Sequence, residues 1–557
     1  MPTTGIEAFL EVLAGAGVKH VFGNPGTTEL PLNDALAKDR RFEYILGLHE
    51  VPVVAMADGY AMASGSVGVA NVHISCGLGN AMGMLYNAHR EGSPLLLTAG
   101  QQDRRLLFEE PVLASDLAAV ARPWAKWSCE VRRVEDVPSA VRRAVQTALT
   151  PPTGPVFLAL PIDLQTEEAD GLDLSPPHVP DRRLRPPEEA LRRAAEVLAQ
   201  AKDPLILAGS RVTEAGAVAE LVAVAERLGA PVLADAPTNH GRLPFPPRHP
   251  LYAGQLPLWS PDVRDRLAGH DVLLVAGQNL LCDYICQEPA RPIDASVRIV
   301  QMDCDPWQVG KNYPVAVGVL GDLKCGLEEL RRLLEGMPPD REAVRARAER
   351  HAREHRAAND ALRAKAVGQA GRRPMTPPAF VAALAAAVPP EVVVIDEAIT
   401  STGTGTYLER LGAVTDPYGY FSHRGWALGW GLGCALGVKL AWPDRPVLAL
   451  LGDGAAMYGI QGLWTAAHHR IPVTFVVSNN AQYKILKDCG HVLRLPQMEA
   501  GNYLAMDLTD PAIDFVGLSR SLGVEAVRVT EPDELTEEVR RSLGGDRPRL
   551  IEAVVGG

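Results

Sequence analysis

The stretch from Val447 to Asn480, VLALLGDGAAMYGIQGLWTAAHHRIPVTFVVSNN, holds the residues best placed to do chemistry. It reads as an apolar strand ending in Gly452-Asp453-Gly454, then a helix, then a second apolar strand ending in Asn479-Asn480. If the two strands are parallel neighbours, Asp453 and Asn480 meet at the carboxyl edge of a sheet, where open α/β sheets bind ligands. One carboxylate, one amide oxygen and a nearby backbone carbonyl make a hard oxygen site with vacant positions. That donor set suits Mg²⁺ holding a diphosphate, because Mg²⁺ prefers octahedral oxygen coordination and shares its sites with phosphates. Gly452 and Gly454 let the backbone approach closely, and the following helix can aim amide N–H groups at the anion. A Gly-Asp-Gly alone is usually a turn. Set between a buried strand and a helix, with paired asparagines after the next strand, it is far more specific.

These residues need a scaffold, and the chain is long enough for several domains at 557 residues. Hydrophobic residues are 47% and charged residues 22%, an ordinary globular balance. The formal charge of −12 argues against nucleic acid or an anionic membrane as the main partner and serves solubility. Acidic, basic or Pro residues interrupt every candidate membrane-spanning run. The start lacks the basic region and apolar core of a secretory signal; Thr4 and Glu7 instead stand at capping-box spacing before a helix. A cytoplasmic location is expected. Eight scattered cysteines do not suggest a disulfide framework, and Cys282 and Cys286, with no second pair at zinc spacing, read as packing residues.

Apolar runs alternate with helical segments along the whole chain, which predicts an α/β protein of three consecutive doubly wound parallel-sheet domains. The first third has strands near His20–Phe22, Tyr44–Leu48, Val67–Ile74, Pro94–Thr98 and Pro155–Leu160. A Pro-rich, charged connection from Leu174 to Pro187 follows it. Strands in the middle third are expected at Pro204–Ala208, Pro231–Ala234, Asp271–Ala276 and Val297–Met302, and in the last at Val392–Ile395, Val447–Leu451, Val473–Val477, Val524–Val529 and Leu550–Val555. Domain bounds of 1–173, 188–336 and 375–557 follow. No sequence repeat relates the thirds. His351 and His355, one helical turn apart but among arginines, read as a solvated helix face. The glycines of Gly429-Trp430-Gly431-Leu432-Gly433 lack nucleotide-fingerprint spacing and read as close helix packing.

The Gly-Asp-Gly to Asn-Asn pattern resembles the cofactor motif of thiamine diphosphate enzymes. The likeness extends through Phe22-Gly23-Asn24-Pro25-Gly26, Ala57-Asp58-Gly59-Tyr60-Ala61, Gly79-Asn80-Ala81-Met82-Gly83, Thr98-Ala99-Gly100-Gln101-Gln102, Pro244-Phe245-Pro246-Pro247-Arg248-His249-Pro250 and Leu463-Trp464-Thr465-Ala466-Ala467. It covers nearly the whole chain and is nearest to 2-oxo acid decarboxylases of the benzoylformate decarboxylase type, within a superfamily shared with acetolactate synthases. The resemblance implies pyrimidine-binding, middle and diphosphate-binding domains in that order. It implies thiamine diphosphate and Mg²⁺ as cofactors, a small 2-oxo acid as substrate, and a homodimer at least, extending to a homotetramer.

By the same resemblance, Glu50 hydrogen-bonds the cofactor's aminopyrimidine ring, His73 relays protons, and the Thr27 hydroxyl meets the substrate carboxylate. Asn24, Pro25 and Gly26 border the cofactor beside Glu50, and Leu428 keeps it bent. Trp426 contributes backbone at the ring edge. Thr400, Ser401, Gly452, Gly454, Ala455 and Tyr483 surround the diphosphate, with Asp453, Asn480 and Gln482 on the metal. Two departures stand out. Tyr284 or a close neighbour takes the place of a second active-site histidine, with His423 as a candidate substitute. The family's aromatic residue near Cys489 is missing, which weakens the case for an aryl pocket. The expected reaction is non-oxidative decarboxylation of a 2-oxo acid. The alternatives are an acetolactate-synthase-like carboligase, a flavin-using oxidase and a non-catalytic fold relative.

Overall fold

The computed structural model describes residues 2–556 apart from 237–240, 283 and 338; Met1 and Gly557, the outermost residues of the expected first and last domains, lie outside the described residues. Three six-stranded sheets succeed one another, and every strand pairing within them is parallel. The first sheet runs Glu43–Leu46, His20–Gly23, Gly68–Val72, Leu95–Gln101, Val156–Pro161, Ser128–Glu130 across its width. The last runs Tyr420–Phe421, Val393–Glu397, Val447–Gly452, Thr474–Asn479, Arg549–Val554, Glu525–Val529. Numbered by position in the chain, both have the order 2-1-3-4-6-5, so a repeat invisible in the sequence exists in the topology. The middle sheet has the order 3-2-1-4-5-6 of the dinucleotide-binding fold, from Tyr252–Gln255 at one edge to Val317–Leu320 at the other.

All the expected strands are present with shifted ends. Ser128–Glu130, Tyr252–Gln255, Val317–Leu320 and Tyr420–Phe421 were not expected, and each lies at a sheet edge. An edge strand is short and covered less completely, so it need not carry a continuous apolar run. Ile74, expected to end a strand, instead starts the helix Ile74–Glu91. The Thr4–Glu7 capping box opens the helix Gly5–Gly15 as expected. His351 and His355 are not simply solvated on the helix Arg341–Gln369. His351 is buried between Arg350 and Glu354, and His355 Nδ1 lies 2.8 Å from the carbonyl of Tyr252 on the middle sheet. Cys286 is exposed, not packed. Among the described residues no helix is long and apolar enough to cross a membrane.

The first and last units share one apolar core, whose centre is the contact between helices Glu50–Ser64 and Trp430–Ala441. Both helices are apolar on nearly every side, as suits helices buried all round. Gly433, read as a packing residue, does that work together with Gly437, which was not singled out: a Cβ on Gly433 would sit 2.7 Å from the carbonyl oxygen of Pro52 and one on Gly437 only 1.9 Å from that of Met56. Trp430 Nε1 donates to Asp58 Oδ2 at 2.6 Å across this crossing. Gly437→Ala is expected to destabilise the protein by about 1–3 kcal/mol, the usual penalty for overpacking a core, and to separate the two units first. Denaturant unfolding monitored by Trp430 fluorescence checks it; a variant as stable as the parent would show that this contact yields easily.

Candidate active site

Each outer sheet has a point at which successive connections leave in opposite directions, and the candidate residues gather there. In the last sheet that point lies between Val393–Glu397 and Val447–Gly452. Asp453 is the first residue of the helix Asp453–Gly459, and Gly452 pairs with Ser478 on the neighbouring strand, so Asn479 and Asn480 emerge beside it. Asp453 is 4% exposed, and its carboxylate accepts from the N–H of Gly454 at 2.7 Å, Asn480 at 3.1 Å and Ala481 at 2.6 Å. Burial raises its pKa, opposed by those backbone donors. Asn480 Oδ1 in turn accepts from Gln482 N at 3.1 Å. Asp453 therefore shapes the Asn480 turn, which the sequence reading had only placed nearby.

The surroundings test whether a cation and diphosphate suit this edge. Asp453 forms no ion pair among the described residues, so a buried carboxylate beside an amide oxygen has its charge unmatched by any side chain. A cation there would supply the missing charge. A Cβ on Gly454 would lie 2.4 Å from the Tyr483 ring, so glycine is needed for this close approach. Ala455 follows in the same short helix. Opposite, Thr400 is half-buried and Ser401 is buried with its hydroxyl bonded to Ser478. Gln482 directs its side-chain oxygen to Lys487 Nζ at 2.7 Å, leaving its backbone carbonyl as the group suited to a metal. Among the described residues no three His, Cys, Asp or Glu side chains cluster as a metal centre. The donors present are those of a shared Mg²⁺–phosphate site, and they fit.

In the first sheet the corresponding point lies between His20–Gly23 and Gly68–Val72. Glu50, 5% exposed, opens the helix Glu50–Ser64, with His49 capping the Val51 N–H. Its two oxygens accept from Asn24 Nδ2 at 3.2 Å and Asn80 Nδ2 at 3.0 Å. No described base pairs with it; the two amide donors hold the buried carboxylate. His73 stands between strand and helix, its Nδ1 2.8 Å from Glu29 Oε2. A Cβ on Gly26 would collide with that imidazole at 1.9 Å, so Gly26 and His73 are packed as a unit. Thr27 and Pro25 are exposed beside them, whereas the neighbouring Thr28 is buried and bonded to Glu29.

Glu29 was missed by the sequence reading. It is 1% exposed and also accepts from the N–H groups of Gly26, Ile74 and Gly100, so it fixes the backbone around His73 from three segments. With Nδ1 donating to Glu29, the Nε2 lone pair of His73 is available. The available sequence signal was an acid three residues after Gly26, which by itself reads as an ordinary turn cap.

The segment from Ser422 to Gly429 leads into the helix Trp430–Ala441 and includes Trp426 and Leu428, both half-buried. Trp426 has a φ of 63°, strained for a non-glycine residue, and its N–H donates to His423 Nδ1 at 3.0 Å. Buried Glu397 accepts from the N–H of Gly429, Trp430 and Gly431 at 2.9, 3.1 and 2.9 Å and so caps the helix. Tyr284 reaches the segment from the middle unit, stacking on Trp426 with centroids 5.7 Å apart and hydrogen-bonding Cys489. The middle unit thus sends a side chain onto Trp426.

His423 is not a free proton relay. Fully buried, it has a pKa lowered to about 4 by desolvation, and its Nε2 lies 3.6 Å from Glu397 Oε1 without the charge an ion pair requires. Its folded-state pKa is below the unfolded value of 6.5, so its contribution to stability is full above pH 6.5 and is lost as the pH falls toward 4. Between pH 7 and 5 the protein is expected to lose about 2 kcal/mol more stability than His423→Gln. Denaturant titrations of both proteins at the two pH values check this; parallel losses would exclude His423 as the source.

Family models for thiamine pyrophosphate enzymes match the chain in three successive parts: the N-terminal TPP binding domain over residues 3–112, the central domain over 191–330 and the C-terminal TPP binding domain over 402–553. Benzoylformate decarboxylase of Pseudomonas aeruginosa is 36% identical over 98% of this chain and 97% of its own. A probable acetolactate synthase large subunit of Methanocaldococcus jannaschii is 27% identical over 99% and 92%. Among solved structures, the thiamine diphosphate-dependent 4-hydroxybenzoylformate decarboxylase of Rhodococcus jostii RHA1 superposes with a TM-score of 0.86 at 30% identity, covering 100% of this chain and 99% of that one. Benzoylformate decarboxylase of Polynucleobacter necessarius gives 0.85 at 30% identity, covering 99% and 98%. With its three parallel-sheet units in the order of those domain models, this chain belongs to the thiamine pyrophosphate enzyme family.

Proposed function

We propose that the protein catalyses the non-oxidative decarboxylation of a 2-oxo acid with thiamine diphosphate and Mg²⁺. The observation that carries the cofactor assignment is Asp453: a buried carboxylate without an ion pair among the described residues, bonded to the Asn480 turn where the last sheet switches direction. Decarboxylation is favoured over other chemistries of the family by the 36% identical benzoylformate decarboxylase, a relative matched along nearly its whole length. When bound, the cofactor supplies a carbon nucleophile and an electron sink. Asp453, the Asn480 amide oxygen and the Gln482 carbonyl would hold the cation, with the Gly452–Ala455 backbone against the diphosphate. Glu50, presented by Asn24 and Asn80, would hold and return a proton at the aminopyrimidine ring. His73, positioned by Glu29, would move protons through Nε2 near substrate, with the Thr27 hydroxyl facing the substrate carboxylate.

A second copy completes this site in our reading. The hydrogen bonds of Glu50 stay within the first unit, and those of Asp453 within the last. Large apolar side chains stand exposed beside both edges: Leu48 and Phe108 after strands of the first sheet, Leu486 and Leu504 after a strand of the last. A homodimer pairing one copy's first unit with the partner's last unit would cover them, and two such dimers would make the tetramer.

Acetolactate synthases among the relatives keep a second outcome in view, capture of the decarboxylated fragment by another carbonyl compound. Incubation with benzoylformate or pyruvate and identification of the product separates the two. Release of CO₂ with an aldehyde is expected; a 2-hydroxyketone as the main product would favour carboligation. Chelation of divalent ions should abolish cofactor uptake measured by calorimetry, and added Mg²⁺ should restore it. Glu50→Gln is expected to lower kcat by on the order of 100-fold or more with Mg²⁺-dependent uptake retained; near-normal turnover would remove Glu50 from the mechanism.

A further inference from the structure

The Ser422–Gly429 segment is held almost wholly by side chains from elsewhere in the fold, and one of its own residues reaches into all three units. Arg424 is 5% exposed. Its Nε donates to Glu91 Oε2 at 3.0 Å, its Nη2 to the Glu91 carbonyl and, at 2.7 Å, to Glu214 Oε1, and its backbone N–H to Glu91 Oε1. Glu91 ends the helix Ile74–Glu91 of the first unit, Glu214 ends the helix Ser210–Glu214 of the middle unit, and Arg424 belongs to the last. Asn87, four residues before Glu91 and hence on the same helix face, grips the segment again. Its Oδ1 accepts from Ala427 N at 3.0 Å and its Nδ2 donates to Ala427 O at 2.9 Å, so it pairs with that residue as a backbone strand would.

We propose that Arg424, clamped by Glu91 and Glu214, is a positioning residue that fixes the Trp426–Leu428 backbone for the cofactor ring. The inference rests on the reading that this backbone faces the aminopyrimidine. Three features carry it. The clamp fastens Arg424, two residues before the strained Trp426, and Ala427, directly after it. It uses one guanidinium that bonds the Glu91 carboxylate, the Glu91 carbonyl and the Glu214 carboxylate, and a two-point amide contact, each of which restricts rotation as well as distance. Nothing else in the site needs it: Glu397 already caps the helix that follows, and Asp58–Trp430 already joins the units. Gly425 is part of the fit, since a Cβ there would lie 2.2 Å from Asn87 Oδ1.

Glu214→Gln tests the clamp with least damage, because this carboxylate is partly exposed and its loss leaves the Glu91–Arg424 pair intact. Arg424→Lys tests the fork geometry at constant charge. Both are compared with the parent protein by calorimetric titration with thiamine diphosphate in excess Mg²⁺, by hydrogen exchange of the Ser422–Leu428 amides without cofactor, and by thermal unfolding. The expected result is cofactor affinity weakened tenfold or more in Arg424→Lys and severalfold in Glu214→Gln, with faster exchange confined to that segment and melting temperatures close to the parent. Unchanged affinity in a folded Arg424→Lys would overturn the proposal, as would weakening that merely follows a global drop in melting temperature. If the parent itself takes up no thiamine diphosphate, the functional reading fails first and the clamp falls with it.

Discussion

Two buried helices meet backbone to backbone, and the active-site elements hang from their ends. Glu50 is the first residue of one, and the Trp426–Leu428 segment runs directly into the other. Their crossing is close because Gly433 and Gly437 leave no side chain between the axes. Close contact gives dispersion and burial their full effect across the first and last units. It also leaves no space for water, so each polar group at the helix ends must find a protein partner. Glu397, Asp58 and Asn87 are those partners.

The same constraint explains an otherwise costly collection of buried charge. Desolvation pushes the pKa of Asp58 to about 6 and that of Glu91 and Glu397 to about 7, although each carboxylate has hydrogen-bond donors pulling the other way. Apolar replacements would relieve that cost. Only directional groups, however, hold a segment with a strained tryptophan at one orientation while its neighbours belong to other units. Asp453, like Glu397, accepts from backbone N–H groups, but it does so at a sheet edge beside the Asn480 turn rather than at the start of a long buried helix.

The helix Ile74–Glu91 links the two halves of this arrangement. Near its start are His73, packed on Gly26, and Asn80, bonded to Glu50; at its end are Asn87 and Glu91, holding the Ser422–Gly429 segment. Eighteen helical residues span about 27 Å. The surroundings of His73 and the Ser422–Gly429 segment are therefore set by one rigid element.

Much of this was legible from local pattern. Alternating apolar runs gave three parallel sheets because a doubly covered strand must be apolar along its length, and Gly-Asp-Gly with Asn-Asn marked the strand edge because few other residues allow close backbone approach and hard oxygen donors together. Four edge strands escaped, since strands as short as Tyr420–Phe421 and Ser128–Glu130 carry no such run whether or not they are buried. Glu29, Glu91, Asn87 and Arg424 escaped for a different reason. Their roles come from partners hundreds of residues away or from segments brought together only by sheet order, and an acid or amide on a helix looks the same whether solvated or buried. The sequence by itself determined the elements and the chemistry at their ends, because both depend on neighbours along the chain; only the tertiary structure decided which buried charges meet, because desolvation and pairing depend on distance in space.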